Sequence, residues 1–479
     1  MADLGRRMRA DSLVRNSVCL MAATAVTSLL GYVFWVAAAR LYAAAPIGEA
    51  GSAVSAMTFA SLLGALGGSS AIIAELPGKR QPRDWSSTVT TALVFTSATS
   101  ALTALLTVLV LSRVGDSAVL YRQAPWIAAF VVGVVATTAS QLLENIWVAE
   151  RQAGWFLAAS TVFAAAKLAV IAVPVFVVFG ATGILSVWSA VLTVTVVGCL
   201  LMLGRLYQYR PRISAFRSQI WSMRQTLTGN YVITVGDQMP LYLIPVLVAL
   251  VVSPAAAGWF YAAYKIGGFY SVFASAVGST TFAEGTHRPD RALPVAMAGM
   301  KIILPFIALG MAVTIFGGRL ILLAFGGAYA AHAYTLLVLL SVAAFPDAIV
   351  NIYRSVLRVH RRYATASAIC WAIAGLRLIL TWRFVLQFGI TGAGWAWLLT
   401  QAAGAVWCVL DLTWHRHPPA GISGALPFVQ LVQTASPPVS ETNVRRKRHA
   451  MPGNRRLRLH RRRACAPPGG DGTAGNGGG

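Results

Sequence analysis

Twelve apolar runs, each long enough to cross a bilayer, fill this chain, and the second six repeat the first about 208 residues further on. A helix needs roughly 20 apolar residues to cross a hydrocarbon core ~30 Å thick. Runs of that size lie near 17–39, 50–74, 86–112, 124–148, 154–180 and 182–204, and again near 228–252, 255–283, 299–324, 333–357, 364–388 and 391–414. Inside lipid every backbone N–H and C=O needs an internal partner, so each run has to be helical. The sequence predicts an all-α polytopic membrane protein with twelve transmembrane helices. Composition agrees, with 57% hydrophobic and only 11% charged residues. The first run is too long for a secretory signal and has no small-residue cleavage site behind a short apolar core, so it is read as a retained span.

Charge gives the orientation. Cytoplasmic loops collect Lys and Arg. With the N-terminus inside, the inner segments hold 31 of the 39 Lys and Arg. Among them are Arg6, Arg7, Arg9 and Arg15 ahead of the first span, Arg205 to Arg224 between the halves, and Arg354, Arg358, Arg361 and Arg362 after the tenth. The outer ends hold only Arg40, Arg113, Arg122, Arg319 and Arg383. Shifting the count by one helix destroys this alternation. Both termini are therefore expected in the cytoplasm, and the net charge of +24 is mostly a topology signal that calls for no nucleic-acid partner.

The repeat shows in residues. Pro46 and Pro254 open the second and eighth spans, and Glu75 and Glu284 close them. Gly180-Ala-Thr-Gly183 turns span five into span six, as Gly389-Ile-Thr-Gly392 turns span eleven into span twelve. Asn145-Ile146-Trp147 ends span four, and Asn351-Ile352-Tyr353 ends span ten. A unit of six spans is even, so the two copies share one orientation and are related by an axis along the membrane normal. The expected organisation is an N-terminal segment 1–16, an N-lobe 17–204, a basic cytoplasmic loop 205–227, a C-lobe 228–414 and a tail 415–479. The tail runs from Pro-rich to Arg-rich to Gly-rich and reads as disordered.

Several segments carry a family resemblance. They are Ala39-Arg40-Leu41-Tyr42 with Gly48 and Gly51; Asn230 to Pro245; Ala257-Gly258-Trp259-Phe260-Tyr261-Ala262-Ala263; Phe325-Gly326-Gly327-Ala328-Tyr329-Ala330; Val356-Leu357-Arg358 with Arg361-Arg362-Tyr363; and Gly389-Ile390-Thr391-Gly392-Ala393. Over about residues 12–414 the chain resembles the polysaccharide flippases of the MATE-like multidrug, oligosaccharidyl-lipid and polysaccharide exporter superfamily. It departs from the pattern where Tyr42-Ala43 stands in place of the usual glycine after the first-span arginine. The resemblance implies a V-shaped two-lobe fold, in two parallel six-helix repeats, that moves a lipid-linked oligosaccharide across the plasma or inner membrane by alternating access. It also implies work alongside a polysaccharide polymerase and length-control proteins, with no cofactor.

Such cargo has an anionic diphosphate head that needs a cationic, hydrated path. A cation inside a membrane is costly and is a functional candidate for that reason. Lys167, Lys265 and Arg377 lie near mid-depth, and Lys167 and Arg377 are near-equivalent in the repeat. With Arg40 they form the expected diphosphate-binding set. Three have a plainer alternative: Lys265 pairs with Asp237, Lys167 ties to a backbone carbonyl or snorkels, and Arg40 anchors the interface; no acid lies near Arg377 in sequence. Asp237 and Glu144 are the candidates for ion coupling, and a salt bridge is the alternative for Glu144. Pro240 and Pro245 are expected to kink or loosen span seven. Five scattered cysteines and seven histidines give no metal or disulfide spacing, and no nucleophile–base constellation argues for an enzyme. The competing functions are flipping of the peptidoglycan precursor lipid II, for which the resembling proteins usually carry fourteen spans, and cation-coupled drug export, which asks for buried carboxylates.

Overall fold

A computed structural model describes the backbone of residues 2–79, 81–213, 216–287, 292–360 and 362–416. Side chains are described within these except at 2–18, 70, 74, 116–117, 216–219, 221–230, 271–276, 279–280, 282–287, 292 and 413–416. The tail from residue 417 on, Arg288, Arg291 and Arg361 lie outside the described residues.

Twelve long helices follow in order: α1 (Ala2–Leu41), α2 (Ala44–Ala65), α3 (Pro82–Leu111), α4 (Ala124–Ala149), α5 (Ala153–Ile171), α6 (Gly180–Tyr207), α7 (Phe216–Val251), α8 (Pro254–His287), α9 (Ala292–Leu323), α10 (Tyr334–Val359), α11 (Tyr363–Phe388) and α12 (Ile390–Arg416). Short helical pieces fill four of the connections, and the described residues contain no strand. Two boundaries differ from expectation. α1 has 40 residues, ~60 Å at 1.5 Å per residue, so the helix begins well before the apolar run at residue 17. The basic segment 205–227 is mostly helical, because α6 continues to Tyr207 and α7 starts at Phe216.

Ten of the twelve helices are long and apolar enough to span on those criteria alone. The other two, α2 and α8, are repeat-equivalent and lie at the centre of the bundle. α2 packs on α3, α4, α6, α7 and α8, so it faces protein where the outer helices face lipid. Its Gly, Ala and Ser content suits that position, since small residues let helices approach closely.

Packing makes the repeat explicit. Within the first six helices the pairs are α1–α5, α2–α3, α2–α4, α3–α4, α4–α6 and α5–α6. Adding six to every number gives pairs that the second half also forms. The turns repeat as well: Gly180 and Gly389 take φ of +54° and +59°, a left-handed conformation that glycine adopts without a Cβ clash.

The two lobes meet along α2, against α8 and α7. At the α2 and α8 N-termini the backbones touch. A Cβ on Gly48 would collide with the Pro254 carbonyl, and one on Gly258 with the Ala44 carbonyl. Toward the other end of α2, the Tyr231 hydroxyl donates to the Leu63 carbonyl at 3.0 Å. The symmetry breaks on the opposite side. α2 packs closely on α7, whereas α1 and α8, the equivalent pair, touch only sparsely. α1 is attached instead to the end of α9, where Tyr32 meets the Phe325 ring edge-on at 5.4 Å.

Candidate functional site

The sparse contact between α1 and α8 leaves a cavity of about 290 Å³, lined by both helices and by Lys167 and Trp188 of α5 and α6. Lys167 and Lys265 both face it, one from each lobe. Lys167 is 4% exposed and stands in an aromatic cage, its Nζ 4.0 Å from the Trp188 ring centre, 4.7 Å from Phe163 and 5.1 Å from Phe34. Lys265 is exposed to this space and lies 4.9 Å from the Tyr261 ring centre. Ring faces attract ammonium groups through their quadrupoles, which positions each charge without neutralising it.

Lys265 and Gly268 also line a second cavity, of about 250 Å³, inside the C-lobe. Its walls carry Asp237, Asp347, Arg354, Arg377 and Gln401. Here acids and cations share one wall. Asp237 of α7 is ion-paired with Arg354 of α10, which also reaches the Cys370 sulfur at 3.3 Å. Asp347 accepts a hydrogen bond from Gln401. Arg377 is 4% exposed, donates from Nε to Thr400 Oγ1 at 3.1 Å and stacks over the Trp397 ring at 4.4 Å.

These positions revise the sequence reading at several points. The expected pairing of Lys265 with Asp237 does not form, because Arg354 takes the carboxylate. Arg354, counted above as a cytoplasmic loop cation, is 8% exposed within α10, since that helix continues to Val359. The three mid-depth cations are split between two adjoining cavities. Arg40 lies apart from both: its Nε donates to the Ala324 carbonyl and its Nη2 to the Leu323 carbonyl, each at 2.8 Å. It thereby caps the C-terminus of α9, where carbonyls lack helical partners. Glu144 lies in a third cavity, within the N-lobe, and the partner recorded for its carboxyl is the Ser140 hydroxyl at 3.3 Å. Glu150 accepts from Trp85 Nε1 at 2.8 Å. Asp347 and Gln401 were missed by sequence reasoning, although an acid beside Pro346 within an apolar run is a visible signal.

α7 runs as one helix through Pro240 and Pro245, the two prolines expected to kink or loosen it. Pro245 has no N–H for the carbonyl of residue 241. The Tyr264 hydroxyl replaces it, donating to the Leu241 carbonyl at 2.9 Å.

No protein-family model matches the sequence, and no curated protein matches it. Solved structures do match the fold. An inward-facing multidrug resistance MATE family transporter of the MOP superfamily aligns with a TM-score of 0.64 at 13% identity, covering 84% of this chain and 99% of that one. The lipid II flippase MurJ, in an inward closed conformation, aligns with a TM-score of 0.65 at 11% identity, covering 84% and 87%. A MOP superfamily transporter from Pyrococcus furiosus, described as having a binding pocket of reverse polarity, aligns with a TM-score of 0.55 at 12% identity, covering 84% and 96%. At these identities the likeness is one of fold alone: an all-α arrangement of twelve long helices in two lobes, as in those transporters.

Proposed function

We propose that this protein flips a polyprenyl-diphosphate-linked oligosaccharide from the inner to the outer leaflet of the cell membrane, by alternating access, for cell-surface polysaccharide synthesis. The observation that carries the reading is the pair Lys167 and Lys265. They come from opposite lobes and face one cavity, and among the described residues neither is ion-paired with a carboxylate. Two uncompensated ammonium groups at membrane depth call for an anion. A diphosphate supplies the charge and enough acceptor oxygens to reach both lobes. The parted α1–α8 side leaves room for a lipid tail to stay in the bilayer while the head enters. Polymerase and length-control partners belong to the same proposal.

The same lysine pair is unfavourable to a cationic drug, which weighs against the multidrug reading. Flipping of the peptidoglycan precursor is the second reading, favoured by the likeness to MurJ. Purified protein in liposomes, given a fluorescent lipid-linked oligosaccharide diphosphate, tests the proposal. Wild type should translocate it, and Lys167→Ala or Lys265→Ala should slow transfer at least tenfold with folding intact. Unchanged transfer in both variants refutes the lysine site. Growth rescue of cells depleted of their own lipid II flippase selects the second reading.

A further inference from the structure

The flipping reading uses the lysine cavity and leaves the C-lobe cavity, of about 250 Å³, without a task. The polar groups there are held in place by other protein groups. Trp397, Thr400 and Gln401 share one face of α12, at i, i+3 and i+4. Thr400 accepts from Arg377 Nε at 3.1 Å, and the guanidinium lies over the Trp397 ring, so the arginine of α11 is fixed from α12. Gln401 donates its amide N–H to Asp347 of α10. Arg354 of α10 is fixed on Asp237 of α7.

Hydrogen-bonding capacity is left over on both sides. Gln401 is 4% exposed, and among the described residues its Oε1 meets no donor and Arg354 Nε meets no acceptor. A guanidinium carries more N–H groups than the one Arg377 gives to Thr400. A carboxylate has more lone pairs than Gln401 fills on Asp347. Buried polar groups need partners, so a ligand for this cavity has to give and take hydrogen bonds at once.

Charge narrows the choice. A metal cation would meet Lys265, Arg354 and Arg377 in the wall, which outnumber the two carboxylates. An inorganic anion would face Asp347, which is in no ion pair among the described residues. An apolar group would strand all of these side chains. A neutral ring bearing hydroxyls meets every requirement. Each hydroxyl has a proton for Asp347 or Gln401 and lone pairs for Arg377. The C–H face of such a ring is apolar, and Trp397 and Tyr264 put aromatic surface in the same wall. The volume is several times the ~30 Å³ share of one water, a space suited to one ring.

We propose that the C-lobe cavity seats one neutral pyranose ring, with Asp347 and Gln401 as acceptors, Arg377 as donor and Trp397 as the stacking surface. Lys265 and Gly268 line both cavities, so a ring in this seat lies next to a diphosphate held by the lysines. Its identity as the sugar nearest the phosphate rests on the flipping reading. The seat itself rests on its own lining.

The test is saturation-transfer NMR on the full chain in nanodiscs. The probes are free D-glucose, D-galactose, N-acetyl-D-glucosamine and L-rhamnose, with open-chain sorbitol and anionic glucuronate as comparisons. At least one neutral ring should bind saturably and more tightly than sorbitol. Gln401→Leu should weaken that sugar roughly tenfold, the scale of losing one polar contact. Trp397→Phe keeps an aromatic face and should retain binding. The wild-type titrations decide the matter even where a variant fails to fold. No saturable binding by any neutral ring overturns the seat. So does equal binding of sorbitol, a preference for glucuronate, or an unchanged affinity in folded Gln401→Leu. Sugar binding without flipping counts against the proposed transport and leaves the seat standing, whereas flipping without sugar binding removes the seat alone.

Discussion

At the scale of single residues, the cations divide by what neutralises them. Arg354 and Asp237 satisfy each other across α10 and α7, and Arg40 is consumed by two carbonyls at the end of α9. The two lysines are held by ring faces at the wall of an open cavity. Removing one member of a buried pair leaves the other uncompensated, at a typical cost of ~3–5 kcal/mol. The Asp237 side chain is 36% exposed to the cavity, so screening places this pair at or below the low end of that range. Arg354→Met should therefore lower the unfolding midpoint, and Arg354→Met combined with Asp237→Leu should recover most of the loss in the same melt. Equal destabilisation in the single and double variants would show that the pair has no mutual role.

At the scale of elements, α7 shows how a span keeps two prolines. Each proline removes one N–H and frees a carbonyl four residues earlier, and lipid offers no water to satisfy it. For Pro245 the replacement donor comes from α8, through Tyr264, so two helices are tied at the point where one is weakest. Tyr264→Phe keeps the ring and removes only that donor. It should destabilise the protein by about 1–3 kcal/mol, the cost of a stranded buried acceptor, as read by chemical denaturation in micelles. The glycine contact between α2 and α8 follows the same logic of close approach: the backbones meet because neither Gly48 nor Gly258 has a side chain.

At the scale of the whole molecule, twelve helices form two lobes with equivalent internal pairings, joined more closely along α2–α7 than along α1–α8. An even repeat and short outer connections place the α6–α7 junction on the same side as the start of α1. A cysteine replacing exposed Gln208 should react with a membrane-impermeant maleimide only from the cytoplasmic side, and one replacing Gln123 only from outside. Reaction of both from one side would overturn the orientation.

The sequence by itself determined the twelve helices and their twofold repeat, and it set the orientation expected of them. Those follow from local quantities, namely run length, hydropathy, loop charge and punctuating Gly and Pro, and the membrane allows few solutions to them. It also marked Lys167, Lys265 and Arg377, because a cation in an apolar run stands out wherever it falls. Only the tertiary structure decided which charges are spent. Asp237 and Arg354 lie 117 residues apart, and Asp347 and Gln401 lie 54 apart. No spacing rule relates positions on different helices, since their facing depends on how each helix is rotated and tilted in the bundle. The break in lobe symmetry that brings Lys167 and Lys265 into one cavity is likewise a property of packing: the two halves repeat their internal helix pairings, and the contact between them does not.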